Sequence, residues 1–267
     1  LYALDYSSQK ILWAKNYKVP FRSNLKIFKN KLIAANQKNN IFFFNKNNGI
    51  ILNKIVTERT TIKNKFINNL SLNEKDTFFL NTYGSLYSID NQNMKVNWFI
   101  NLNQSLELNP SNLFKGNTMI NNGNLLMVNS ENHTYIIEAN TGRIVVRHNF
   151  SSDINSLMLN NYLFLKTKKN FLTAVDLGQS KIIYSLDINK KVEKFLKSKK
   201  NNIKVVNMAM VNNEIFLFLH NSNILKFNIR GNLNEIDKLP SKLNAQPLFI
   251  DGSILYIDKK NKINILN

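Results

Sequence analysis

Residues Leu1 to Trp13 read LYALDYSSQKILW and predict two short strands joined by a turn. The first five residues alternate between two faces, as a strand does, and the polar residues 6–9 favour a turn. Residues 10–13 then return to a strand pattern that ends on the aromatic Trp13. Asp5 closes the first strand and serves as the reference position of this unit.

The same strand–turn–strand frame returns six more times along the chain. Aligned on Asp5, the reference positions are Asp5, Asn45, Asp90, Glu138, Asp176, Asn228 and Asn267. The gaps between them are 40, 45, 48, 38, 52 and 39 residues, with a mean near 44. A period of this length, with several strands in each repeat, is typical of the blades of a β-propeller.

Each repeat also has two apolar strands before its reference position, such as residues 25–28 and 32–35 before Asn45. We therefore expect an all-β propeller of four-stranded antiparallel blades, with seven blades wholly or partly present in one domain over residues 1–267. The first repeat supplies only the end of a blade, and the last lacks its fourth strand. We expect this chain to be a fragment of a propeller of seven or eight blades.

Two offsets from the reference position carry a pattern of their own. Four residues after it stand Gln9, Gly49, Met94, Gly142, Ser180 and Asn232. This offset predicts a turn exit with positive φ, which Gly and Asn tolerate. Eight residues after it stand Trp13, Asn53, Trp98, Val146, Tyr184 and Ile236, most of them large and apolar.

At these offsets the chain resembles the tryptophan-docking repeat, A-x-D-x-x-x-G-x-x-x-W, of the quinoprotein-like (PQQ-repeat) β-propeller family. Two copies match the Asp and Trp of this repeat: Asp5 with Trp13, and Asp90 with Trp98. A third copy has Asp176 with Tyr184 in place of Trp. In the first copy, Gln9 stands where the family has Gly. The resemblance implies a set of residues that dock one blade on the next. That set is Trp13, Trp98, Tyr184, Asp5, Asp90, Asp176, Gly49 and Gly142.

The resemblance leaves two classes of function open. One branch of the family binds pyrroloquinoline quinone and oxidises alcohols or sugars, and many of its members use a pair of adjacent cysteines, an Asp base and a calcium ion. This chain has no cysteine and no insertion large enough for a quinone chamber. The other branch comprises outer-membrane assembly lipoproteins, which are not enzymes. A propeller that binds an unrelated protein is a further alternative.

We expect the second branch, which implies a non-enzymatic periplasmic scaffold with no catalytic residues, no cofactor and no metal. The implied partner is a protein, the outer-membrane β-barrel assembly machinery. The implied contact with the membrane is an anchor outside this segment. The residues that bind the partner are not indicated by the sequence.

The net charge is +19, from 36 basic and 17 acidic residues. This charge is compatible with a nucleic-acid or anionic-membrane partner. It is also compatible with a general compositional bias, because the lysines are spread over many turns. Arginine, which suits bidentate contact with phosphate, occurs only five times. We favour the compositional explanation and expect no nucleic-acid partner.

Residues 189–202, NKKVEKFLKSKKNN, depart from the strand pattern. Val192, Phe195 and Leu196 have the spacing of one helical face and are surrounded by six lysines. One interpretation is a basic amphipathic helix on a membrane or partner. The interpretation that we favour is a short helix or loop whose apolar face packs on a neighbouring strand.

Candidate catalytic groups are few. The reference carboxylates could act as acid/base groups or calcium ligands, but Asn occupies the same position in three other repeats. Because Asn and Asp both accept a backbone N–H in a turn, we expect a turn-forming role. The three histidines, His133, His148 and His220, have no metal-ligand spacing, and we expect ordinary surface or turn residues.

Overall fold

A computed structural model describes residues 1–5, 8, 10–59, 68–103, 113–117, 119–197, 203–250 and 252–266. Within these residues the chain forms seven antiparallel sheets, of which five have four strands, one has three and one has two. The predicted all-β propeller architecture of four-stranded blades is confirmed. The chain divides into two compact units, Leu1–Asn149 and Phe150–Asn267. A single domain over residues 1–267 stays a prediction.

The first unit holds four of the sheets. The first sheet has β1 (Tyr2–Leu4) and β2 (Ile11–Ala14). The second has β3 (Lys26–Phe28), β4 (Lys31–Ala35), β5 (Asn40–Asn45) and β6 (Ile51–Val56). The third has β7 (Asn69–Leu72), β8 (Asp76–Leu80), β9 (Ser85–Asp90) and β10 (Val96–Asn101). The fourth has β11 (Met119–Asn121), β12 (Leu125–Asn129), β13 (Thr134–Glu138) and β14 (Ile144–His148).

The second unit holds three sheets and a helix. The fifth sheet has β15 (Leu157–Leu159), β16 (Tyr162–Lys166), β17 (Phe171–Asp176) and β18 (Lys181–Asp187), and the helix α1 (Ile188–Leu196) follows it. The sixth has β19 (Val205–Val211), β20 (Glu214–Leu219), β21 (Asn223–Asn228) and β22 (Leu233–Lys238). The seventh has β23 (Leu248–Ile250), β24 (Ser253–Ile257) and β25 (Ile263–Leu266). Strands adjacent in sequence are adjacent in every sheet, so each sheet is a meander.

The middle strands of the sheets are buried on both faces. In β5, Phe42 and Phe44 pack in a cluster with Trp13 of the first sheet, while Phe43 points the other way and packs with Phe79 of the third sheet. Because both faces of the strand are covered, its sequence is a continuous apolar run rather than an alternation. Burying one such side chain stabilises the fold by about 1.5–3 kcal/mol.

A bulge recurs where the fourth strand of a sheet pairs with the third. Ala174 pairs with Tyr184, and the register then shifts before Val175. The corresponding shift in the first sheet follows the pairing of Ala3 with Trp13. A bulge places an extra residue on one strand and increases its twist.

The sixth sheet departs from the predicted offset. Asn228 N donates to Asn232 O, whereas the corresponding bond in the second sheet runs from Asn45 N to Ile50 O. The turn of the sixth sheet is therefore one residue shorter. As a result Glu235, rather than Ile236, lies in the position that Trp13 and Trp98 occupy.

Helix α1 has only part of the packing that the second interpretation of residues 189–202 predicted, because Val192 is buried whereas Phe195 and Leu196 are 45% and 37% exposed. The Asp187 carboxylate accepts the backbone N–H of Lys190 at 3.2 Å and caps the helix. Ile188 and Val192 are buried in the cluster that joins the fifth and sixth sheets. Residues 198–202 lie outside the described residues. In the part of the chain described, no helix is long and apolar enough to cross a membrane.

Candidate functional site

Trp13 connects the first sheet to the second. Its Nε1–H donates to the Lys46 carbonyl at 2.8 Å, and its ring lies against Gly49. Gly49 has φ +68°, and a Cβ at this position would lie 2.8 Å from the ring carbons Cε3 and Cζ3. Glycine is therefore required at position 49 for both its φ and its lack of a side chain. The Tyr17 hydroxyl also donates to the Gly49 carbonyl at 2.5 Å, a contact that the sequence did not predict.

Trp98 repeats this arrangement between the third and fourth sheets. Its Nε1–H donates to the Ala139 carbonyl at 3.0 Å, and a Cβ on Gly142 would lie 2.7 Å from the ring carbon Cε3. Gly142 has φ +75°. Phe78, in the same sheet as Trp98, lies with its ring centroid 6.1 Å from the indole. The same pair of interactions, a ring on a glycine and a donor on a carbonyl, thus occurs in two sheets.

Tyr184 occupies the corresponding place between the fifth and sixth sheets. Its hydroxyl donates to the Ile229 carbonyl at 3.0 Å, and burial raises its pKa to about 12. Its ring lies beside Gly231, where a Cβ would meet the Tyr184 ring at 3.2 Å and Leu186 Cδ1 at 2.2 Å. Tyrosine replaces tryptophan here, but the polar end of the ring still bonds the carbonyl of the next turn.

The predicted positive φ at the turn exit is present at four positions. Those positions are Gly49, Met94, Gly142 and Ser180. In the sixth sheet the positive φ falls on Gly231 instead of Asn232, because that turn is shorter. Sequence reasoning missed Gly231, although a glycine three residues after Asn228 was a usable signal. Gln9 and Asn267 lie outside the described residues.

The reference carboxylates bond the backbone of their own turns. Asp5 Oδ1 accepts the N–H of Ser8 at 2.6 Å. Asp90 Oδ1 accepts from Gln92 and Asn93 at 2.9 and 2.5 Å, and Asp176 Oδ1 accepts from Gly178 and Gln179 at 2.8 and 3.0 Å. The amide oxygens of Asn45 and Asn228 accept in the same way, from Asn47 at 2.9 Å and from Arg230 and Asn232 at 3.0 Å.

Glu138 differs from the other reference residues. Its carboxylate accepts from the Arg143 guanidinium and from the Thr141 hydroxyl, and these bonds, first that of Arg143, lower its pKa. The role of a backbone acceptor therefore belongs to Asp and Asn, whose side chains are one methylene shorter. Asn45 and Asn228 fill this role without an ionisable group.

The histidines lie in three separate environments. His133 is beside Arg147, with 3.2 Å between the two side-chain nitrogens, and its pKa is lowered by burial and by that charge. Burial lowers the pKa of His148. The pKa of His220 is lowered by nearby lysines, first Lys259. Among the described residues, no three His, Cys, Asp or Glu side chains are arranged to hold a metal ion.

A cavity of about 650 Å³ in the first unit brings Asp76 and Asp90 together with Lys29 and Lys75. Asp76 accepts from Asn97 Nδ2 at 2.7 Å, and its pKa is raised by burial and then by the charge of Asp90. The pair brings two carboxylates close enough for the charge of one to raise the pKa of the other. Asp90 already accepts hydrogen bonds from the backbone of its own turn. The contacts of the Asp76–Asp90 pair are therefore those of structural polar groups.

An exposed aromatic pair lies on the third sheet. Phe99 of β10 is 62% exposed, and its ring stacks on Tyr87 of β9 with centroids 5.6 Å apart. β10 is the terminal strand of its sheet, so one edge of its backbone is not paired within that sheet. Exposed aromatic side chains and strand edges are both common contacts in protein recognition.

The sheets and the repeated ring-on-glycine contacts define a β-propeller of the quinoprotein repeat class. The chain belongs to the family described as outer membrane protein assembly factor BamB, whose model matches residues 1–185. No curated protein matches the chain.

Two solved structures share the fold. The crystal structure of BamB from Moraxella catarrhalis superposes with a TM-score of 0.78 at 12% identity, covering 99% of this chain and 77% of that one. The β-propeller domain of Cps50 (Swd1) from Myceliophteria thermophila superposes with a TM-score of 0.62 at 11% identity, covering 92% and 82%. At these identities the similarity shows the fold alone.

Proposed function

We propose that this chain is a non-enzymatic periplasmic scaffold, tethered at the outer membrane, that assists the assembly and insertion of outer-membrane β-barrel proteins by binding their assembly machinery. The observation that carries the proposal is the family match over residues 1–185. The fold supports it in a general way, because a propeller offers rigid surfaces on which a partner can dock with little rearrangement.

The docking residues contribute to this function by fixing the sheets. Trp13, Trp98 and Tyr184 each bond a carbonyl in the turn of the next sheet. We assign them a structural role, together with Gly49 and Gly142, on which two of the rings lie. This role is part of the proposal. A side chain used in this way is not available to a substrate or a cofactor.

The aromatic pair Tyr87–Phe99 is our candidate for a partner contact. Phe99 is exposed, yet its orientation is held by the stacking on Tyr87, so little side-chain entropy is lost when a partner covers it. The free edge of β10 lies beside it and offers backbone donors and acceptors to an added strand.

Crosslinking in intact cells followed by mass spectrometry tests the function. We expect recovery of outer-membrane assembly components. Recovery of nucleic acid or of cytoplasmic proteins instead, in a salt-sensitive manner, would overturn the proposal.

The surface is tested separately with a photo-crosslinking residue placed at position 99. A matched control is position 183, because Ile183 is 52% exposed on β18, the terminal strand of the fifth sheet. Capture of the assembly machinery at position 99 and not at 183 supports the aromatic pair. Equal capture at both positions would show that the pair is not the contact.

A further inference from the structure

The meander topology places particular connections at one end of the second unit. In a four-stranded meander, the turn between the second and third strands lies at the same end as the exit of the fourth strand. Helix α1 directly follows the fourth strand of the fifth sheet, so it begins at this end. It contacts the turn between the second and third strands of the same sheet. Ile188 N donates to Asn170 O at 3.2 Å, and Asn170 Nδ2 donates to Asn189 Oδ1 at 3.0 Å.

This end carries a concentration of exposed lysines on three neighbouring sheets and the helix. We call it the lysine end and define it by Lys169, Lys190, Lys194, Lys204, Lys242 and Lys259. The three sheets are neighbours, because one buried cluster joins the fifth to the sixth and another joins the sixth to the seventh. The six lysines therefore lie on neighbouring sheets of one unit.

Three of the lysines lie close to one histidine at this end. His220 lies among them, with its Nε2 3.5 Å from Lys259 Nζ and its backbone N–H bonded to Lys204 O at 2.9 Å. Its pKa is lowered first by the charge of Lys259, then by desolvation, Lys242 and Lys204. Three lysines from two sheets thus act on one imidazole.

Three carboxylates at this end have partners of their own, whereas Glu193 of α1 adds one negative charge beside the lysines. Asp258 accepts the backbone N–H groups of Lys260 and Lys262, Asp187 caps α1, and Asp153 pairs with Lys166. Within the described ranges, no salt bridge joins any of the six defining lysines to a carboxylate. The lysine end is a cationic surface whose charge is not neutralised by such pairs.

We propose that the lysine end binds the surface of a lipid bilayer that contains anionic phospholipids. Its charges lie on the turns of three sheets and on a helix, which suits an extended anionic plane better than a single acidic segment. Lysine attracts such a plane as a hydrated point charge, whereas bidentate contact with a phosphate favours arginine. Arg230, the one arginine of this unit, lies in a turn at the opposite end.

Helix α1 adds an apolar component to this surface. Phe195 and Leu196, in its last turn, remain 45% and 37% exposed although Ile188 and Val192 are buried. Lys194 is their neighbour in sequence. Partly exposed apolar side chains beside lysines are typical of helices that lie in the interfacial region of a membrane. This contact goes beyond the proposed protein scaffold and does not depend on it.

Vesicle flotation with the full chain tests the proposal. The vesicles are phosphatidylcholine alone or phosphatidylcholine mixed with phosphatidylglycerol. The test variant replaces Lys194, Lys204, Lys242 and Lys259 with Gln. The control variant removes the same charge from the other ends of the sheets, where Lys46, Lys95 and Arg230 lie in turns and Lys181 begins β18, each replaced by Gln. All these side chains are exposed, so both variants should retain the circular dichroism spectrum of the wild type.

We expect the wild type to float with the mixed vesicles, to stay in solution with phosphatidylcholine alone, and to be released by salt. The test variant should bind the mixed vesicles about fivefold more weakly for each lysine that faces the bilayer. The control variant should bind like the wild type. An equal loss in both variants would show that only the net charge matters and would overturn the proposal.

Two further results would also overturn it. One is competition by glycerol 3-phosphate at matched phosphate concentration, which would indicate a phosphate-binding site and not a bilayer surface. The other is binding of polyglutamate or duplex DNA without any binding of the mixed vesicles, which would assign the lysine end to an acidic protein or to nucleic acid.

Discussion

The indole ring of Trp98 lies directly on the backbone of Gly142, and its Nε1–H donates to the carbonyl of Ala139 in the same turn. One side chain of the third sheet therefore makes both an apolar and a polar contact with the fourth. Trp13 makes the same two contacts with Gly49 and Lys46. The tryptophan that recurs in the sequence repeat is thus the residue that contacts the next sheet within the first unit.

We predict that Trp98→Ala destabilises the protein by about 3–5 kcal/mol, as expected when a large packed aromatic side chain is removed. Its neighbour in the strand provides the control, because Phe99 is 62% exposed and packs mainly on Tyr87. Phe99→Ala should cost less than about 1 kcal/mol. Thermal and urea denaturation measure both. Equal costs for the two substitutions would contradict the docking role of Trp98.

A second prediction separates backbone strain from steric contact at Gly142. Gly142→Ala introduces a Cβ 2.7 Å from the Trp98 ring at φ +75°, whereas Gly123→Ala introduces one at φ +95° with no atom within 4 Å. Both variants carry the backbone penalty of about 1–2 kcal/mol for a side chain in this region. Gly142→Ala should be less stable by a further 1–3 kcal/mol or so, from overpacking. If the two variants unfold at the same denaturant concentration, the ring contact contributes nothing.

Much of this arrangement could be predicted from the sequence, because the repeat displays it several times. The offset of eight residues placed Trp13, Trp98 and Tyr184, and the offset of four placed the glycines Gly49 and Gly142. These positions depend on local turn geometry, which a short stretch of sequence determines.

The sequence was less informative where tertiary context decides. The turn after Asn228 is one residue shorter than in the other sheets. The positive φ therefore falls on Gly231, and Glu235 takes the strand position that corresponds to Trp98. A fixed offset from the reference residue cannot predict this change. The contact of Tyr17 with Gly49 and the grouping of lysines around His220 join residues that are distant in sequence. Both follow from how the sheets pack, and no single repeat contains the signal.

A third prediction concerns the reference carboxylates. Asp176→Asn should leave stability nearly unchanged, because the amide oxygen can still accept from Gly178 and Gln179, as the side chain of Asn228 does in its own turn. Asp176→Ala removes the acceptor and should cost about 1 kcal/mol. Chemical denaturation of the two variants distinguishes them. A large loss in Asp176→Asn would mean that the negative charge itself has a role.

A fourth prediction follows from the non-enzymatic proposal. Addition of pyrroloquinoline quinone with Ca²⁺ should neither raise the melting temperature nor produce dye-linked oxidation of alcohols or sugars. A ligand that binds only the folded state raises its stability in proportion to the logarithm of ligand concentration, so a thermal shift is a sensitive measure even without turnover. Saturable quinone binding by the wild type would favour the dehydrogenase alternative and contradict the scaffold proposal.

The last prediction uses the carboxyl group of Asp76. Burial and the charge of Asp90 raise its pKa in the folded state above the ordinary value of 3.8. Between the two pKa values the folded state holds a proton that the unfolded state has lost, so stability falls as pH rises through this window. Asp76→Asn removes that loss and keeps an oxygen that can accept from Asn97.

The variant should therefore be more stable than the wild type near neutral pH, and the difference should shrink as the pH falls through the window between the two pKa values and be lost below about 4. Urea unfolding across this range measures it, with Asp176→Asn as a control that also removes one carboxylate. A difference that is independent of pH would show that Asn97 and the packing around residue 76, and not its ionisation, determine the effect.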